Sequence, residues 1–314
     1  MRVLVTGATG FVGYAVAASI ADAGHQVTAL TRSERPLPVG VERIGGDVED
    51  VAAVMRAVEA TGADAVCHLA ALVRVRDSRA DPVGYWRTNV GGTLAVLQAM
   101  TRHPGGPGRL VVASTCAVYG ERAAQPITEQ EQPNPSNPYG TSKLAADRAV
   151  ADVAATGAIG AVSLRAFNIA GGLPGRPDDD ETRLIPKIVA VAQGRAAELG
   201  VNGDGSVVRD FVHVVDMADA FVRAVDACRP GRWVAYNVGS GLRSTLADVI
   251  AAAEAVTGSP LAIRHNPPAD EPAVLLADAS LIRNELGWRP ARSQLPRIVR
   301  DAWEAAQGAY SVRE

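Results

Sequence analysis

Tyr139 and Lys143 stand four residues apart in Tyr139-Gly140-Thr141-Ser142-Lys143. On a helix, that spacing puts both side chains on one face. A tyrosine alone ionises near ~10, too high for a base at neutral pH. A cation about 4–6 Å away favours the phenolate and lowers that value, and the same ammonium can hydrogen-bond ribose hydroxyls. The pair reads as a proton-moving tyrosine with a lysine partner. Lysine is scarce enough to make its placement informative: it occurs only at Lys143 and Lys187, and every other basic residue is arginine. Upstream, the apolar run Val112-Ala113-Ser114-Thr115 ends in two hydroxyls. Thr115 is the candidate to hydrogen-bond a substrate oxygen as its proton leaves or returns, with Ser114 as the alternative.

A second group of residues suits a phosphate. Gly7, Gly10 and Gly13 follow the apolar run Arg2–Thr6 and open an amphipathic stretch. Gly7 permits a tight turn, Gly10 a close backbone approach to pyrophosphate, and Gly13 close helix–strand packing. The N–H groups of Phe11 and Val12 then face the anion. Where an NAD site carries an acidic side chain about 20 residues further on, this chain has Leu30-Thr31-Arg32-Ser33. Arg32 offers a cation to a 2′-phosphate and leans the expectation toward NADP, while Glu34 keeps NAD open.

These residues need a scaffold, and the chain supplies one. Its 314 residues are 47 % hydrophobic and 21 % charged, ordinary values for a globular protein. Lys+Arg 31 against Asp+Glu 34 gives a net charge of -3 with no basic block, so nucleic acid is not an expected partner. Three scattered cysteines (Cys67, Cys116, Cys228) suggest neither a disulfide framework nor a metal site. The first residues read as a strand and not as a signal peptide, and no apolar run is long enough for a membrane span. The expectation is cytoplasmic, with no membrane.

In the first half, strands expected at Arg2–Thr6, Gln26–Leu30, Val41–Gly45, Ala65–Ala70, Arg109–Ser114 and Ile159–Phe167 alternate with helices at Phe11–Ala23, Asp50–Glu59, Tyr85–Met100 and Tyr139–Ala155. Apolar strands separated by helices predict an α/β fold: a doubly wound parallel sheet of the Rossmann type. After the breaker-rich loop Gly171–Asp180 the pattern changes to short strands and helices, which predicts a smaller mixed α/β substrate domain. The expected division is 1–166 plus 211–238 for the dinucleotide, and 167–210 plus 239–314 for the substrate.

Taken in order, the motifs resemble the extended short-chain dehydrogenase/reductase superfamily, in its nucleotide-sugar epimerase/dehydratase branch, with the pattern of the UDP-glucose 4-epimerases. The resemblance adds Leu164-Arg165-Ala166-Phe167-Asn168, Leu184-Ile185-Pro186, Val208-Arg209-Asp210-Phe211 and Tyr236-Asn237-Val238-Gly239. It implies cofactor contacts at Asp47, Val48, Leu69, Ala70, Ala71 and Asn89, besides Thr31, Arg32, Tyr139 and Lys143. It implies substrate contacts at Thr115, Asn168, Leu184, Arg209 and Glu271, with Asn168 and Arg209 on the diphosphate. Cys116-Ala117 stand where the dehydratases of the branch carry an Asp-Glu pair, which argues against elimination chemistry.

The function expected from the resemblance is a 4-epimerase of a nucleotide sugar, working with NAD or NADP by transient oxidation at C4. The alternative is an NADPH-dependent 4-ketoreductase of a nucleotide-linked keto-deoxy sugar, which Arg32 favours. The resemblance also implies a homodimer through helices Tyr85–Met100 and Tyr139–Ala155, with Trp86, Leu97 and Val150 as possible apolar contributors.

Overall fold

The computed structural model describes residues 1–103, 105–106, 108–122, 124–268 and 272–311, with side chains to residue 308. Six strands, β1 (Arg2–Thr6), β2 (Gln26–Thr31), β3 (Val41–Gly45), β4 (Ala65–His68), β5 (Arg109–Thr115) and β6 (Gly160–Ala166), are joined at one edge by a seventh, Trp233–Val238. Their order is β3-β2-β1-β4-β5-β6 and then Trp233–Val238. Every pairing is parallel. The order reverses between β1 and β4, and a crevice opens at the strands' C-terminal ends there.

The sheet is covered on both faces, as its apolar strands require. One face packs helix α1 (Phe11–Asp22) and the helix Val214–Ala227 in a core that includes Val16, Ile20, Met217, Phe221 and Trp288. The other packs Val51–Thr61, Gly92–Arg102 and Pro138–Ala155 through Val54, Val58, Val96, Met100 and Val150. Leu97 and Val150 belong to this second core, 3 % and 0 % exposed. They therefore cannot supply the dimer surface expected of them; Trp86, 43 % exposed, can.

A further core gathers Ile185, Ile188, Leu199, Phe211, Val249, Ile298 and Val299 beside the sheet. Two short strands follow one another closely, Val208–Arg209 and Phe211–His213. The break is Asp210, a fully buried carboxylate that accepts from the N–H groups of Ser240, Gly241 and Ala277 and from the Ser240 hydroxyl. Two short strands without a sequence signal, Leu199–Asn202 and Ile263–Asn266, pair in parallel. No helix among the described residues is long and apolar enough to cross a membrane.

Candidate active site

The glycine loop sits where β1 ends. Gly7 has φ +77°, and a Cβ there would lie 2.7 Å from the Ala70 nitrogen. A Cβ on Gly13 would lie 2.0 Å from the Gly7 oxygen. Both positions exclude any side chain. A Cβ on Gly10, by contrast, would meet only the Gly7 oxygen at 3.4 Å, so its outer side is open. Gly10 caps α1 without a side-chain bond, and no acidic residue occupies the first turn. The unpaired N–H groups of that turn are suited to a pyrophosphate. Thr6 Oγ1 fixes the opposing loop by accepting from the Leu69 and Ala70 N–H groups, both at 3.1 Å. Leu69, Ala70 and Ala71 line the crevice beside Gly7, Gly10, Phe11, Val12 and Gly13. These residues fit a dinucleotide.

At the ends of β2 and β3, Thr31, Arg32, Asp47 and Val48 line the same crevice. Arg32 donates to Asp47 Oδ2 at 2.8 Å. Partial burial pushes Asp47 up, but hydrogen bonds from the Glu49 N–H and Arg32 outweigh it and hold the carboxyl below its usual value. The guanidinium expected to stand open to a 2′-phosphate is thus already paired with a carboxylate. Glu34 is exposed and faces Arg43 at 3.9 Å.

Asn89 departs from expectation. It lies in a π-helical turn, Trp86–Gly91, a distortion common at functional sites. It is 1 % exposed. Its side chain accepts from the Leu72 N–H and donates to the Leu72 carbonyl and the Ser142 hydroxyl. It does not line the crevice; it clamps the loop after β4 to the helix that carries Lys143.

That helix, Pro138–Ala155, begins where Asn137 accepts from the Gly140 N–H at 2.9 Å, with Pro138 at the first position. Cap and proline place Tyr139 in the first turn and Lys143 one turn on. Thr115 lines the crevice beside Tyr139, and its Oγ1 accepts from the Ala117 N–H at 3.1 Å. Ser114 lines the same crevice, but its hydroxyl donates to Asp147 Oδ2 at 3.0 Å. The Ser114 proton is thus engaged, whereas the Thr115 hydroxyl keeps its proton to donate, which favours Thr115 over Ser114.

Burial dominates the titration of this group. It pushes Tyr139 up to about 12, only partly offset by the neighbouring Thr115 hydroxyl, and a cation that acts to lower it is Arg183. It pushes Lys143 down to about 8 against the attraction of Asp147. The net lowering of Tyr139 expected from a nearby cation is not what results, because desolvation of the phenolate is the larger effect.

The crevice continues past Tyr139 to Asn168, Leu184 and Arg209, giving one cavity of about 1190 Å³. Asn168 Nδ2 donates to the Asp210 carbonyl at 3.0 Å. Arg209 is steadied by the Val208 and Pro272 carbonyls at 2.9 and 2.8 Å. Glu271 lies outside the described residues. Lys187 and Arg183 also line the cavity and were missed. The rarity of lysine was the available signal for Lys187; Arg183 had none.

The chain matches the family model described as "NAD dependent epimerase/dehydratase family" over residues 3–239. It is 40 % identical to a UDP-glucose 4-epimerase of Streptomyces lividans, over 96 % of this chain and 95 % of that one. It superposes with a TM-score of 0.92 and 32 % identity on a UDP-glucose 4-epimerase from Stenotrophomonas maltophila with bound NAD and formylated UDP-arabinopyranose, covering all of both chains. A similar enzyme from Bifidobacterium longum, in complex with NAD+ and UDP, gives 0.89 and 30 % over 98 % of each chain.

Proposed function

The chain belongs to the NAD-dependent epimerase/dehydratase family, and on that premise we propose that it is a nucleotide-sugar 4-epimerase acting on UDP-linked sugars. One observation carries the reading. A single cavity joins the glycine loop, the Thr115–Tyr139–Lys143 group and the anion-suited Asn168 and Arg209.

In this reading the bound NAD supplies the hydride acceptor and donor, together with a positive ring that favours the phenolate. Arg209 and Asn168 hold the diphosphate and leave the sugar at the Tyr139 end. Arginine suits that task, being always charged and able to grip phosphate with a fork of donors. Thr115 orients the C4 oxygen. Tyr139 takes the C4 hydroxyl proton and returns it to the same oxygen once the sugar has turned. Lys143 holds its ammonium beside the site and, with Leu69–Ala71 and the glycine loop, seats the cofactor. The division into 1–166 plus 211–238 and 167–210 plus 239–314 is part of the proposal. So are a homodimer and a cytoplasmic location.

The ketoreductase alternative rested on Arg32, and the Arg32–Asp47 pair removes that support. NAD is accordingly the proposed cofactor. Incubation with UDP-glucose and then with UDP-galactose, without added reductant, tests the reading. C4 interconversion is expected in both directions. Stoichiometric consumption of NADPH with a keto sugar, and no epimer formed, would overturn it.

A further inference from the structure

Lys143 is 4 % exposed, and among the described residues no side chain makes a hydrogen bond or ion pair with its ammonium. A buried ammonium without a counter-charge tends to lose its proton. Asp147 stands four residues further along the same helix face, itself 1 % exposed. Tyr139, Lys143 and Asp147 therefore form one stripe.

The carboxylate is held hard. Its Oδ2 accepts from the Ser114 hydroxyl at 3.0 Å and from Arg165 Nε at 3.2 Å. Its other oxygen, Oδ1, is buried without a hydrogen-bond partner. Arg165 is fixed in turn, donating to the Tyr119 hydroxyl at 3.0 Å and lying 5.1 Å over its ring. A carboxylate with one spare buried oxygen is more than an Arg165 partner needs.

We propose that Asp147 is a positioning residue for the reaction: clamped by Ser114 and Arg165, its carboxylate supplies the counter-charge that keeps Lys143 an ammonium. The inference rests on the reading above in which Lys143 works as a cation. The other titratable groups packed around the helix do not compete. His68 on β4 is held neutral by burial, pushed down to about 3. Tyr139 and Cys116 are pushed up to about 12, and Tyr85 is also pushed up. Arg165 on β6 is a cation committed to Asp147. Asp147 is the charge whose attraction offsets the desolvation of Lys143.

The sequence offers a direct probe, because Lys143 and Lys187 are its only lysines. In the full-length protein labelled with 13C at the lysine ε carbon, two resonances are expected, and Lys187→Arg assigns them. Asp147→Asn moves the Lys143 titration down by about one pH unit or more, and the alkaline limb of turnover moves with it. Arg165→Gln moves it up by leaving the carboxylate charge undivided, and Asp147→Glu restores nearly wild-type behaviour. Lys143 titrating at its wild-type pH in Asp147→Asn overturns the proposal. If that variant does not fold, an unmoved titration in Arg165→Gln overturns it. The resonance reads Asp147 independently of catalysis. Unchanged turnover in Lys143→Ala would instead deny the role of Lys143 itself.

Discussion

Arg32 and Asp47, at the ends of neighbouring strands, are joined by a 2.8 Å ion pair on the wall of the crevice. The pair changes what Arg32 can do. A lone guanidinium there would attract a 2′-phosphate, whereas a paired one presents little net charge and sets a carboxylate beside the place such a phosphate would occupy. NAD is expected to bind at least as tightly as NADP. Asp47→Asn should free the guanidinium and tighten NADP by roughly tenfold, the scale of one charge-assisted contact. Calorimetric titration of both cofactors into cofactor-free protein decides it. Tighter NADP than NAD in the wild type restores the expectation read from the sequence.

Ser114 and Thr115 are adjacent in sequence and face different neighbours, so their alanine variants should fail differently. Tyr139→Phe and Thr115→Ala are expected to keep the fold and lower turnover, the former by about 10²–10⁴, the usual share of general acid–base work. Ser114→Ala leaves a buried carboxylate short of a donor, at a cost of about 1–3 kcal/mol of stability. Steady-state kinetics beside chemical denaturation separates the two patterns. A Tyr139→Phe enzyme turning over at the wild-type rate contradicts the assignment.

The two hydroxyls also mark how far sequence reading reached. The parallel sheet, the glycine loop and the Tyr139–Lys143 pair were legible, because each follows from local periodicity or from fixed spacing on one element. Which hydroxyl is left free for a substrate was not, since nothing in the strand's sequence declares that Ser114 meets Asp147 on the following helix. Nor was the Arg32–Asp47 pair, which joins residues fifteen apart on separate strands. Asn89 was singled out through the family resemblance, but its work is to clamp Leu72 and Ser142, a contact that a π-helical turn brings about and no propensity foretells. Leu97 and Val150 were read as contributors to a dimer surface, yet both are buried in the core against the sheet.

A buried neutral histidine predicts acid sensitivity. His68, hydrogen-bonded to Thr6 Oγ1 at 2.8 Å, is pushed down to about 3 by burial and by Lys143. Its folded pKa lies below the unfolded value near 6.5, so the unfolded chain binds the extra proton. Stability from this group is fully present above about 6.5 and is lost as pH falls toward 3, by up to about 1.4 kcal/mol per pH unit. Urea unfolding at pH 7 and pH 5 should show a smaller loss in His68→Asn than in the wild type. Equal losses in the two proteins reject the account.

Trp86 and Leu94 lie on one exposed helical face, 43 % and 49 % exposed, with Val90 between them in sequence. Exposed apolar side chains spaced for one face suit a partner surface. A dimer is expected by light scattering at micromolar concentration, and Trp86→Glu should shift it toward monomer. A wild-type protein that runs as a monomer removes the proposal.

The breaker-rich loop Gly171–Asp180 is anchored at a telling place. Arg176 lies 4.2 Å over the Tyr14 ring and donates to the Thr9 carbonyl at 3.3 Å. Thr9 belongs to the glycine loop, and Tyr14 is on α1. The same loop carries Asp180, which pairs with Arg74 at 3.1 Å on the other side of the crevice. One segment therefore bridges the substrate end of the cavity and the back of the phosphate loop. A partly exposed cation–π contact with one hydrogen bond contributes about 1–2 kcal/mol. Arg176→Ala should speed cofactor release by roughly tenfold and leave single-turnover chemistry at Tyr139 unchanged. Stopped-flow release of bound NAD, run beside single-turnover assays, measures both. Release at the wild-type rate would show that the latch does not hold the phosphate loop, while slowed chemistry with normal release would place Arg176 in service of the substrate instead.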